Sequence, residues 1–163
     1  MADSGFQARE KYPGFNEDKT IFYNAGVITT ASTWFRSVDG FFSLTPNITD
    51  ARMEFPITGL RLGDKLKYFR VLGALGADTG YATNLDAYFR KVTKGAGVVS
   101  TATIAAITQV TAQADAEIDS EVTLSETVVT ADTQYYVQLE GTTANSAVCD
   151  LAITGIEVDI ERA

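Results

Sequence analysis

The stretch GIEVDIER, residues 155–162, sets Ile156, Val158 and Ile160 on one side of an extended chain and Glu157, Asp159 and Glu161 on the other. Strict alternation of apolar and acidic side chains has the period of a half-buried strand. A helix would scatter the same three apolar residues around its axis. The signature recurs upstream. QYYVQLEG, residues 134–141, aligns Tyr135, Val137 and Leu139, and RMEFPIT, residues 52–58, alternates Met53, Phe55 and Ile57. Pro56 lacks an N–H, which suits an edge or a strand end. DKLKYFRVLGAL, residues 64–75, reads as a long strand with Phe69, Val71 and Leu75 facing one way and Leu66, Tyr68 and Leu72 the other.

GALGADTGYATN, residues 73–84, supplies turn-forming residues, and LDAYFRKV, residues 85–92, follows as the expected hairpin partner of the long strand. IFYNAGVIT, TIAAITQV and EVTLSETV are further strand candidates. Residues 102–118 are open to two readings, because alanine favours a helix while Thr103, Ile104, Ile107, Thr108, Val110 and Thr111 are β-branched; the strand reading is preferred. Regularly spaced short strands predict an all-β fold, an antiparallel β-sandwich or jelly roll of about eight strands over residues 21–163. Phe69, Val71, Tyr135, Val137, Leu139, Ile156, Val158 and Ile160 form its expected core. Residues 1–20 have no alternation and read as an extended N-terminal arm, with Phe6, Tyr12 and Phe15 as apolar anchors on a neighbouring surface.

Composition narrows the function. The 163 residues contain no histidine and one cysteine, Cys149. A Ser-His-Asp triad, a Cys-His dyad and an HExxH zinc site are therefore impossible within the chain, as is an internal disulfide. No catalytic residues, cofactor or metal are expected. The acidic run Asp115, Glu117, Asp119 and Glu121 lacks the glycine and spacing of a calcium loop and is read as a solvated, charged edge. Cys149 is read as a small buried side chain. The NIT sequon at Asn47 carries little weight, because the N-terminus has no secretory signature. No run of residues is long and apolar enough to cross a membrane as a helix.

Charge is unevenly spread. Net charge is −8. Residues 1–94 carry 12 basic and 10 acidic side chains, whereas residues 95–161 carry 11 acidic ones and no base. The break falls at RKVTKGAG, residues 90–97. Such a balance argues against nucleic acid as a partner. Lys65, Lys67 and Arg70, with Arg61 nearby, form a basic cluster that is expected to meet the acidic half of a neighbouring copy. In STWFRSVDGFFSLTPN, residues 32–47, adjacent aromatics cannot all face inward. Trp34 and Phe42 are therefore expected at a subunit contact, with a sugar-stacking platform as the alternative.

The succession FPITGLRLGDKLKYFRVLGAL, LDAYFRKVTKG, ADTQYYVQLEGTT and CDLAITGIEVDI resembles small jelly-roll domains of tailed-phage virion proteins. These include capsid decoration or cement proteins, head fibres and tail-fibre modules. The resemblance lies in the order of strands and turns over about residues 56–160 and carries no site residues with it. It implies a non-enzymatic structural role in a bacteriophage: a homo-oligomer, expected as a trimer, bound to a major capsid protein or another virion protein. Such a protein is made in the host cytoplasm and resides on the virion surface. The alternative is a receptor- or carbohydrate-binding module of a tail fibre or cell-surface protein.

Overall fold

The computed structural model describes residues 19–23, 27–28, 34–36 and 41–163. They form an all-β sandwich of eleven strands and no helix. The strands are β1 (Lys19–Tyr23), β2 (Val27–Ile28), β3 (Trp34–Arg36), β4 (Phe42–Leu44), β5 (Ile48–Ile57), β6 (Lys65–Gly76), β7 (Thr83–Lys94), β8 (Val99–Ala112), β9 (Ala116–Val128), β10 (Thr133–Thr143) and β11 (Asp150–Glu161). One sheet runs β3-β4-β11-β6-β9, with β1 also paired to β11, and the other runs β2-β5-β10-β7-β8. We call them the β11 sheet and the β10 sheet. Every pairing is antiparallel.

Strands β4 to β11 have jelly-roll order, 4-11-6-9 against 5-10-7-8. The chain is in effect a nested hairpin. β7 pairs with β8, β6 with β9, β5 with β10 and β4 with β11. Its innermost turn is Gly95–Val98, closed by a hydrogen bond from Gly95 N–H to Val98 O at 2.8 Å. Residues 85–92 are thus not the hairpin partner of β6, contrary to expectation. β6 and β7 lie in different sheets, and the loop from Ala77 to Ala82 crosses between them. Period-two patterning locates strands but cannot distinguish a turn within a sheet from a crossing between sheets.

The core lies between the sheets. All eight residues expected in it are buried, from fully enclosed Phe69 and Val158 to Tyr135 at 3 % exposure. Phe69 of β6 and Phe89 of β7 meet across the gap with ring centroids 5.6 Å apart. Two bulges explain where simple alternation fails. Leu151 and Ile153 point inward, yet so do Ile156, Val158 and Ile160. A register shift between Ile153 and Gly155 resets the parity. A shift between Leu66 and Tyr68 likewise lets Leu66 join Phe69 inside. Residues 99–112 and 116–128 are strands, so β-branching prevailed over alanine. Lys19 and Thr20, placed within the expected arm, begin β1 and pair with Ile160 and Asp159.

Candidate functional site

The expected contact residues separate into three groups. Phe6, Tyr12 and Phe15 lie outside the described residues. Trp34 and Phe42 are core residues, which corrects their assignment to a subunit contact or sugar platform. They are 3 % and 4 % exposed. The Trp34 indole packs where Gly141 leaves space, and its Nε1–H donates to the Ala51 carbonyl at 3.1 Å. That bond satisfies the polar edge of a buried indole and ties the two sheets together. Phe42 stands edge-on to Phe55 of the opposite sheet, centroids 5.5 Å apart. Phe41, its neighbour, is half-buried.

The third group, Lys65, Lys67 and Arg70, lines β6, which runs between β9 and β11. Its acidic partners belong to the same chain. Lys65 reaches Glu161 at 2.9 Å, and Lys67 binds the other oxygen of that carboxylate. Hydrogen bonds from Lys67 and then Lys65 pull the Glu161 carboxyl down to about 2 from an ordinary 4.5. Arg70 makes a two-pronged contact with Asp119 at 2.6 Å on both arms and lies 3.5 Å from Glu157. The Asp119 hydrogen bonds raise the guanidinium's affinity for its proton, and the same bonds lower the Asp119 carboxyl. On the other sheet Arg52 pairs with Glu140 at 3.2 Å.

One more ionic contact differs because it is buried. Asp64 is completely enclosed. Its Oδ2 accepts the Arg61 N–H at 2.7 Å and a short hydrogen bond from Arg162, while Oδ1 has no partner. Arg162 also donates to the Gly59 carbonyl at 3.2 Å. Burying a lone carboxylate is costly, so the one base beyond Lys94 sits where a counter-charge is needed most.

This pair braces one end of the sandwich. There the loop at Gly63 and Asp64 exchanges backbone hydrogen bonds with Val129, 2.9 and 2.7 Å, and Lys94 N–H donates to Asp132 O at 2.8 Å. The loops so joined carry Leu62, Val98, Val99 and Val128, exposed by 71, 66, 68 and 43 %. Individually exposed aliphatics are ordinary; these four share one end of the sandwich.

Among the described residues, the long edge strands of the two sheets, β9 and β8, differ sharply. β9, the edge of the β11 sheet, exposes Glu117, Asp119 and Glu121, which guard it against strand addition as the acidic run suggested. β8, the edge of the β10 sheet, has no charged residue, and none occurs anywhere between residues 95 and 114. Reading only the loss of basic residues after Lys94 concealed this; counting both signs together would have exposed it.

Cys149 is buried, its Sγ 3.8 Å from the Tyr81 carbonyl. Among the described residues no group of three or more His, Cys, Asp or Glu is arranged to hold a metal ion. No helix of the described residues is long and apolar enough to cross a membrane. Comparison with protein-family models and with curated proteins finds no match to this chain.

Proposed function

We propose that the chain is a non-enzymatic structural component of a tailed-phage virion, a decoration protein made in the host cytoplasm that binds the assembled shell. The observation carrying this reading is the set of exposed aliphatics Leu62, Val98, Val99 and Val128 at the end of the sandwich where the Asp64–Arg162 pair is buried. A rigid end with exposed aliphatics docks without an ordering cost. The jelly-roll strand order and the resemblance of residues 56–160 supply the virion context. By binding the assembled state and not its free subunits, such a protein stabilises the shell by mass action. Its partners would be further copies of itself and a major capsid protein.

Quantitative mass spectrometry of purified particles tests the proposal. A copy number comparable to that of the shell subunit is expected, falling when Leu62 and Val98 are both replaced by Asp. Absence from particles would remove the virion reading.

A second reading, a glycan-binding module of a fibre, is favoured by one feature. Tyr88 and Tyr136 lie on the outer face of the β10 sheet, with the Arg90 guanidinium 6.0 Å from the Tyr136 ring centroid. The Arg90 Nε is buried without a hydrogen-bond partner. A few copies per particle, together with glycan-array binding lost in Tyr136→Ala, would favour this module over a decoration protein.

A further inference from the structure

We propose that β8 is a self-association edge, along which two copies of the chain pair antiparallel about a twofold axis. Joining the five-stranded β10 sheets of two copies makes one continuous ten-stranded sheet. The contrast between β9 and β8, each unpaired on its outer side among the described residues, motivates the idea. An edge strand presents unpaired N–H and C=O groups, and proteins normally blunt such an edge with charge, proline or extreme shortness. β9 carries the charges. β8 spans 14 residues, VSTATIAAITQVTA, with neither charge nor proline. Its first five residues, Val99 to Thr103, are all exposed.

A second copy fits this edge for two reasons. First, each chain carries a net charge of −8. Two such molecules approach with least repulsion along an uncharged strip, and β8 supplies one. Second, the ends of the strip are oppositely charged. Lys94, beside Val99 in the pairing with β7, and Lys91, beside Ala102, lie towards the start of β8. Asp115 and Glu117 follow its end, and both are exposed. Antiparallel pairing sets the basic end of each copy beside the acidic end of the other, twice by symmetry. Lys94 then lies about two strand spacings, roughly 10 Å, from the second copy's strand, within the range of incompletely screened charge.

The bulges select the register. β8 shifts against β7 near Ile104 and near Thr108 and Gln109. Bulges interrupt a ladder, which is itself a form of edge protection. With Ser100, Thr101 and Ala102 facing Ala112, Thr111 and Val110 of the second copy, however, residues of the same sheet face stand opposite each other, and both of these segments are free of bulges. The interruptions fall in the middle, leaving regular pairing at both ends. A third copy has no place in this arrangement, so it closes as a dimer instead of the trimer expected from sequence.

The edge proposal is independent of any virion role, and its test needs only the purified chain. Sedimentation equilibrium should give twice the 17.6 kDa chain mass. Thr101→Lys with Thr103→Lys, which add charge without removing backbone hydrogen bonds to β7, should return it to one chain mass. Lys94→Glu should weaken dimerisation about tenfold, because reversal turns two attractions into repulsions. Glu161→Gln, on β11 in the other sheet, should leave the dimer intact. Hydrogen exchange of the unmodified chain provides a readout that no misfolded variant can confuse: amides of residues 99–112 should gain protection as concentration rises. A mass of one or three chains, a dimer that survives the double lysine variant, or concentration-independent exchange of β8 would each overturn the proposal.

Discussion

Replacing Arg162 by Met tests whether a single base secures one end of the sandwich. The side chain of Asp64 is 1 % exposed and that of Arg162 is 12 % exposed. The variant leaves the Asp64 carboxylate with the Arg61 N–H as its remaining donor, and its Oδ1 is already unpartnered. Removing one member of a buried ion pair costs about 3–5 kcal/mol. Water can reach the vacated guanidinium site, which is not fully enclosed, so the lower end, about 3 kcal/mol, applies. In a chain of this size that lowers the melting temperature by roughly 6–12 °C. Asp64→Asn retains an acceptor for both donors and leaves a cation that can turn towards water and Gly59 O, so it should cost only about 1–2 kcal/mol. The double variant should be more stable than the sum of the single effects implies, by about 1–2 kcal/mol. Urea denaturation followed by circular dichroism measures all three variants, provided the slope with denaturant is unchanged. A loss below about 1 kcal/mol for Arg162→Met, the size of a surface pair, would refute the reasoning. So would strict additivity in the cycle.

Three further outcomes are expected. Val158→Asp places an unpaired charge at a fully buried position between β1 and β6, so it should abolish soluble expression or native circular dichroism; a folded variant would refute the core assignment. Gly141→Ala brings a methyl group to 2.7 Å from Leu151, 2.8 Å from Leu44 and 3.0 Å from Trp34, so it should destabilise the fold by about 1–3 kcal/mol in urea titrations, with a shifted Trp34 emission. Glu161 has a carboxyl lowered in the folded state, so its contribution is present above pH 4.5 and is lost as the pH falls towards about 2. Thermal melts across that window should show a shallower pH dependence in Glu161→Gln than in the parent.

Strand positions and the inner face were legible because alternation reports burial directly. Ile156, Val158 and Ile160 face inward as GIEVDIER implied. Pairing partners were not legible, because they depend on residues far apart in the chain. β6 therefore gained a false partner in residues 85–92, when its neighbours are β9 and β11. Bulges were equally hidden, since a reset of parity at Thr154 and Gly155 looks like two unrelated short patterns. Trp34 and Phe42 illustrate a different limit. Adjacent aromatics show that one of two must face away from the core, but not which one, and the space opened by Gly141 more than ninety residues later decides for Trp34. Arg162 had no local signal at all, because its partner Asp64 is brought to it by the fold.

The charge break at residues 90–97 takes its meaning from the nested hairpin. The innermost turn, Gly95–Val98, follows the last lysine of the basic half directly. Folding about that turn lays the half that contains every lysine onto the half that contains none. Arg52 meets Glu140 across β5 and β10, Arg70 meets Asp119 across β6 and β9, and Lys65 and Lys67 meet Glu161 across β6 and β11. Each of these contacts joins a base from before the turn to an acid from after it. Such exposed cross-strand pairs contribute only about 0.2–1 kcal/mol apiece. Their value lies in discrimination, because pairing within residues 95–161 would set only acids opposite each other, and that is unfavourable by similar amounts. The polarity thus favours long-range pairing between halves over local pairing within the acidic one, in a topology whose contacts are mostly far apart in sequence and slow to close. Asp64 and Arg162 invert the rule, acid before the turn and base after it, and theirs is the buried pair, where the energy at stake is several times larger.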